Sequence, residues 1–253
     1  MTDKSIPSND VKSVRWSYSG RSARLQTFDS LLTNGSGIPG MLSLNGEKVG
    51  VVNLIEQESG NNRQAFVLRD VDPYGVDIYK IVNNGEVIGA FTAAIFKKDS
   101  TGQYQEGRNG LHGQPSDWAV NYGVGDTVIK QAEYIRVDHV YVSENVRYEN
   151  LGKALIQTMV EASIKEGCEG RVKVEASYQS PCAFFHYDFR SMHYRESRQQ
   201  DVLIFDHLDG FIRTGISINT QDPLGTVIMH LPNKSIPEWK TMIEQNPILA
   251  LAS

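Results

Sequence analysis

Apolar and polar positions follow two periods along this chain, and the switch between them locates the main elements. From Tyr134 to Val142 the residues are mostly β-branched or aromatic, as in a strand. From Leu151 to Glu166 the period lengthens: Leu151, Leu155 and Met159 fall on one line, and Ile156, Val160 and Ile164 on the next. That is a helix with a wide apolar face, which must pack on a sheet. Gly167 stops it, and Lys165 suits the negative end of its dipole. Arg171 to Ala176 alternates polar and apolar, as a half-buried strand does. Ser180 then offers an N-cap and Pro181 a first helical position.

Upstream, Val76–Val82 and Val87–Phe96 flank Asn83-Asn84-Gly85-Glu86, and Asn-Gly between apolar runs signals a hairpin. Val49–Ile55 and Gln64–Leu68 read as strands. Residues 1–13 are polar and loose, and Ser22–Leu32 reads as a short helix closed by Thr33-Asn-Gly-Ser-Gly. Lys97 to Ala132, rich in Gly and polar residues, is too long for a plain hairpin loop. It reads as an insertion that holds a small hairpin or as a surface loop. Toward the C-terminus, Val202–Phe205 and Thr226–Leu231 are strand-like, and Ser235-Ile-Pro-Glu238 resembles a capping box opening a helix to Gln245. The organisation is therefore an N-terminal region 1–75, a core 76–206 carrying the insertion 97–132, and a segment 207–253 completing the same domain.

Composition narrows the class. With 253 residues, 40% of them hydrophobic, the chain can bury a large core. A net charge of −5 disfavours a nucleic-acid surface and suits a cationic amine. Two cysteines, Cys168 and Cys182, make no disulfide framework and suit a reducing compartment. No run approaches the roughly 18 apolar residues of a spanning helix, and the N-terminus has no apolar signal core. The expectation is a soluble, cytoplasmic protein with no membrane contact. His112, His139, His186, His193, His207 and His230 are scattered and form no metal motif.

The junction between strand and helix carries the most chemistry. A strand, a tight turn and a helix start make an anion site, because free N–H groups and the dipole favour a phosphate there. Arg147 and Lys153 add positive charge, and Gly152 admits close approach. The run Arg147-Tyr148-Glu149-Asn150-Leu151-Gly152, followed by Lys153, resembles the pyrophosphate motif of the GNAT superfamily of N-acetyltransferases: Arg or Gln, two variable residues, Gly, one variable residue, then Gly or Ala. Asn150 replaces the first glycine; Asn is the residue that best tolerates positive φ in its place. Downstream, Ser180, Ala183 and Tyr187 match the spacing of the family's second signature, in which Asn, Ala and Tyr lie on the helix after the fifth core strand. Ser191-Met192 stands where the family usually closes with Gly-Phe. The resemblance covers roughly residues 75–206.

The resemblance implies an α/β (α+β) fold with a mixed, mostly antiparallel central sheet flanked by helices. Its fourth and fifth core strands, here Tyr134–Val142 and Arg171–Ala176, splay apart. Acetyl-coenzyme A would lie in the gap: its arm on the backbone of Val140, Tyr141 and Val142, its pyrophosphate on the N–H groups from Arg147 to Lys153, with Ser180 in place of the family Asn. Tyr187 aligns with the tyrosine that donates to the departing sulfur; a phenol pKa of about 10 is close enough to a thiol's to share a proton. Tyr187 also reads as one more aromatic in a Phe-rich core helix. Asp138 and His139 are the candidate bases, and adjacent strand residues face opposite sides, so at most one enters the cleft. Asp138 shares parity with Val140 and Val142, unless a β-bulge reverses the choice. A competing reading pairs Cys182 with His186, four apart on one helix face, as a thiol nucleophile. The expected activity is acetyl transfer to a primary amine, on a small molecule or a protein, by direct attack in a ternary complex. The alternative is a coenzyme A-binding or interaction module of the same fold without turnover.

Overall fold

A computed structural model describes residues 40–108, 111–112, 116–119, 128–143, 148–176, 180–191 and 227–249. The expected helix at Ser22–Leu32, the strand at Val202–Phe205, Arg147, His193 and His207 lie outside the described residues.

The strands are β1 (Glu47–Ile55), β2 (Asn62–Val71), β3 (Asp77–Asn83), β4 (Glu86–Lys98), β5 (Tyr104–Glu106), β6 (Leu111–His112), β7 (Ser116–Ala119), β8 (Val128–Ala132), β9 (Tyr134–Val137) and β10 (Val140–Val142). Helix α1 (Leu151–Lys165) leads to β11 (Val172–Ala176), α2 (Ser180–His186), β12 (Arg190–Ser191), β13 (Val227–His230) and α3 (Ile236–Gln245). Among the described residues the main sheet runs β1-β2-β3-β4-β9-β11-β13-β12, with β10 and β5 also on β4. All its pairings are antiparallel except β9 with β11. Among the described residues the fold is thus mixed α+β with a mostly antiparallel sheet and few helices.

The β3–β4 hairpin forms where Asn-Gly predicts it. Asn84 (φ 50°) and Gly85 (φ 79°) both take positive φ, the geometry of a two-residue turn that matches strand twist. Within the insertion, β5 extends the sheet beside β4, and β7 and β8 form a separate two-stranded sheet. Arg108, following β5, places two guanidinium nitrogens on the buried Asp77 carboxylate, at 2.7 and 2.9 Å, and also pairs with Glu166. The insertion is pinned at that point to the C-terminal end of α1.

Helix α1 is the centre of the core. Leu151, Leu155, Ile156, Met159 and Val160 are fully buried against Val137, Val140, Val142, Phe91 and Ile135 of the sheet. Burial of each such side chain is worth about 1.5–3 kcal/mol. Its end follows the sequence: Gly167 (φ 80°) reverses the chain, Gly167 N–H donates to Ile164 O (3.0 Å) and Cys168 N–H to Ser163 O (2.8 Å). These two bonds are the Schellman arrangement that satisfies the last carbonyls.

The apolar face is not the only buried one. Gln157 and Glu161 are buried too, because α3 and the segment after it close over that side. Glu161 accepts the N–H groups of Ile248 (2.9 and 3.1 Å) and Leu249 (2.7 Å), and the Gln157 amide (2.9 Å). The same segment reaches the outer edge of β1, where Val51 N–H donates to Ile248 O (2.9 Å). A Cβ on Gly50 would lie 2.2 Å from Ile248 O, so only glycine allows this approach. At the start of α3 the expected capping box is not formed: Ser235 has helical φ and ψ and makes no side-chain cap. The helix begins there on Pro237 in its first turn.

Candidate functional site

The run from Tyr134 to Val142 is one strand interrupted by a bulge. Arg136 lies opposite Ala94 and Val140 opposite Phe91, so four steps on this strand match three on β4. The extra residue is absorbed at Asp138 and His139. His139 O accepts from Thr92 N–H (3.0 Å), and His139 N–H donates to Thr92 Oγ1 (3.2 Å). The bulge resets the parity. Val137 and Val140 both enter the core under α1, whereas Asp138 lies with Arg136. The simple alternation that grouped Asp138 with Val140 and Val142 is therefore corrected.

Asp138 is clamped. Arg136 Nε lies 2.7 and 3.0 Å from its two oxygens, and Arg136 Nη2 reaches Glu106 (2.8 Å). The guanidinium stacks over Phe96, 5.0 Å from the ring centroid. Lys173, opposite Arg136 on β11, lies over the Tyr134 ring at 5.3 Å. Burial lowers its pKa, and the Glu175 carboxylate partly opposes this. Reading the sequence missed Arg136, Glu106 and Lys173; alternation in the two strands places Arg136 and Lys173 on the polar side, but not together.

The bulge also separates two pairings. β9 runs parallel to β11 over Ile135–Val137 and Val172–Val174. Beyond it, β10 pairs with β4, while β13 pairs with β11 along Lys173–Ala176 on the edge away from β9. His139 O and Ser143 N–H both point to β4, so by antiparallel alternation the N–H and C=O of Tyr141 do as well. Those of Val140 and Val142 point the other way and find no partner among the described residues. Of the three residues expected to offer backbone groups to a ligand, Tyr141 is thereby corrected. Its side chain packs with Met41 and Ile78, away from α1.

The helix start follows at the carboxyl end of this strand. Leu151, Gly152 and Lys153 present first-turn N–H groups with no partner among the described residues. The three residues before them are otherwise engaged. Tyr148 bridges to Glu56, Glu149 N–H donates to Ile55 O (2.9 Å), and the Asn150 amide bonds Ile55 N–H and Asn53 O, both at 2.9 Å. Asn150 has φ −114°, not the positive φ expected of a glycine substitute. Its amide stands in for a peptide unit beside β1.

Ser180 opens α2 and Tyr187 follows its last residue, each 6% exposed. Tyr187 packs in the main core, with the His186 ring edge-on at 5.3 Å. The side chain of Cys182 lies outside the described residues. Burial pushes the Cys168 thiol up to about 12, so it is inert. Among the described residues, no His, Cys, Asp and Glu side chains are grouped to hold a metal ion, and no helix is long and apolar enough to cross a membrane.

No protein-family model and no curated protein matches this chain. A solved acetyltransferase of Bacillus subtilis in complex with CoA is similar to it at a TM-score of 0.33 and 14% identity, over 63% of this chain and 78% of that one. At this level the likeness does not establish a shared fold.

Proposed function

We propose that the chain is an acetyl-coenzyme A-dependent N-acyltransferase acting on a primary amine. One observation carries this reading: a half-open strand, β10, meets an uncapped helix start at the end of a parallel strand pair. Open sheets bind ligands at such carboxyl ends, where neighbouring strands part. Val140 and Val142 offer two N–H and two C=O groups to an extended, amide-bearing arm. Leu151, Gly152 and Lys153 offer N–H groups to its phosphates. Splayed fourth and fifth strands, as the sequence motifs imply, agree with a parallel ladder of three residue pairs.

Coenzyme A would supply the activated thioester. The chain must then hold it beside a neutral amine and a proton donor. By the spacing of the second sequence motif, Ser180 at the start of α2 is assigned to the cofactor, and Tyr187, just after α2, is the candidate donor to the leaving sulfur. Asp138 is a candidate base only when released from Arg136, since part of its lone-pair capacity is engaged. That clamp favours a second reading, a coenzyme A-binding or interaction module without turnover.

Calorimetry with coenzyme A, wild type against Gly152→Asp, tests the site, because a carboxylate there would face the pyrophosphate. Thiol release from acetyl-coenzyme A with a panel of amines separates the two readings. Turnover with any amine supports the enzyme, and tight binding without turnover supports the module. Absence of coenzyme A binding overturns both.

A further inference from the structure

A second open edge lies beside the start of α1, on β1. This strand is the outer edge of the sheet, and its outward-pointing groups are those of Val51, Asn53 and Ile55. Most are occupied. Val51 N–H donates to Ile248 O; Asn53 O and Ile55 N–H bond the Asn150 amide; Ile55 O accepts from Glu149 N–H. Two remain between the blocked ends, Val51 C=O and Asn53 N–H, with no partner among the described residues. Ile248 N–H, the natural donor to Val51 C=O, is diverted to Glu161.

These two groups face a groove of about 650 Å³ between β1, α1 and α3. That volume holds a small ligand. Met242, Ala154 and Pro247 make an apolar wall. Lys153, one turn along α1 from Asn150, lines the same groove and makes no ion pair among the described residues.

A C=O at one residue and an N–H two residues later are what one extended residue meets when it runs parallel to a strand. Its own N–H donates to the C=O and its carbonyl oxygen accepts from the N–H. Asn150 and Ile248 stop any longer strand at either end, so the slot admits one residue. Parallel orientation points its carboxyl side toward Asn150. There a carboxylate has one oxygen for Asn53 N–H and one for the Lys153 ammonium, with the first turn of α1 adding positive potential. Glu149 shares this rim, which confines the anion to the Lys153 side.

We infer that this slot binds an N-acylated α-amino acid through its N–H, its free carboxylate and an apolar side chain. The ligand is either a free N-acyl amino acid or the C-terminal residue of a peptide. This site shares Lys153 and the start of α1 with the phosphate end of the acyl-transfer reading, but it rests on the unpaired groups of β1 and stands without that reading.

The test is an amide NMR titration of the full chain without coenzyme A, using N-acetyl-leucine, acetyl-Ala-Ala-Leu and N-acetyl-leucinamide. The Asn53 resonance should shift to saturation, and its hydrogen exchange should slow at least tenfold. Binding of N-acetyl-leucine identifies the free acid as sufficient; binding of the peptide alone identifies a peptide C-terminus. The leucinamide should bind at least fivefold more weakly than the better of the two acids. Asn53→Pro removes the outward N–H at an edge position that tolerates proline, and should weaken binding at least tenfold. An Asn53 resonance unmoved at millimolar ligand, or equal affinity for acid and amide, overturns the proposal.

Discussion

Arg136 holds both carboxylate oxygens of Asp138, at 2.7 and 3.0 Å, across a bulge that adds one residue to the strand. The pair is about three-quarters shielded from solvent on each side. It fixes the local geometry at the point where β9 leaves off and β10 begins.

Asp138→Asn is therefore expected to act on stability first. Loss of one charge-assisted pair at this exposure should cost on the order of 1 kcal/mol. Thermal melting should record it, while any acyl transfer should stay within about threefold of wild type. A loss of a hundredfold or more would restore Asp138 to the role of base.

Tyr187→Phe keeps the ring and its place in the core while deleting the hydroxyl. If that hydroxyl protonates the leaving thiolate, turnover should fall by about 10²-fold or more. Coenzyme A affinity, read by calorimetry, should not change. Full turnover in the variant would leave Tyr187 as packing alone.

Glu161→Ala should be among the most damaging single changes. It strands two buried N–H donors, on Ile248 and Leu249, and the cost is on the order of 3 kcal/mol. Chemical denaturation should show the loss, and limited proteolysis should cut the chain near residue 246 earlier than in the wild type. Unchanged protection there would mean that the segment is held by its apolar contacts instead.

His230 gives the fold an acid sensitivity. It is fully buried, and burial lowers its pKa from 6.5 to about 4. Between those values the unfolded chain binds a proton that the folded chain does not. This contribution is fully present above pH 6.5, declines as pH falls, and is lost below about 4. The span corresponds to about 3 kcal/mol. His230→Asn, compared with wild type by urea denaturation at pH 7 and pH 4.5, should reduce the pH-dependent difference. An equal difference in both proteins would assign the acid sensitivity to other groups.

Sequence alone located the elements whose signals are local. Asn84-Gly85 specified its turn because only residues tolerant of positive φ close a two-residue hairpin, and Gly167 ended α1 for the same reason. The 3.6-residue period of Leu151, Leu155 and Met159 marked the face that packs on the sheet. The free N–H groups at the start of α1, at Leu151, Gly152 and Lys153, were legible because they depend only on the chain's own direction.

Tertiary structure decided what depends on a distant partner. Alternation assigned Asp138 to the wrong side because a bulge is visible only in the register against β4. Asn150 looked like a substitute for glycine; its amide instead completes the edge of β1, nearly a hundred residues earlier. Glu161 and Gln157 lie outside the apolar lines read from sequence, and they are buried because α3 and the chain after it close over them. A hydrogen-bonding group carries no record in sequence of which remote group will satisfy it. Periodicity therefore fixes where a helix or strand runs and which side is apolar, while the use of each polar side chain is settled only when the edges of the sheet are brought together.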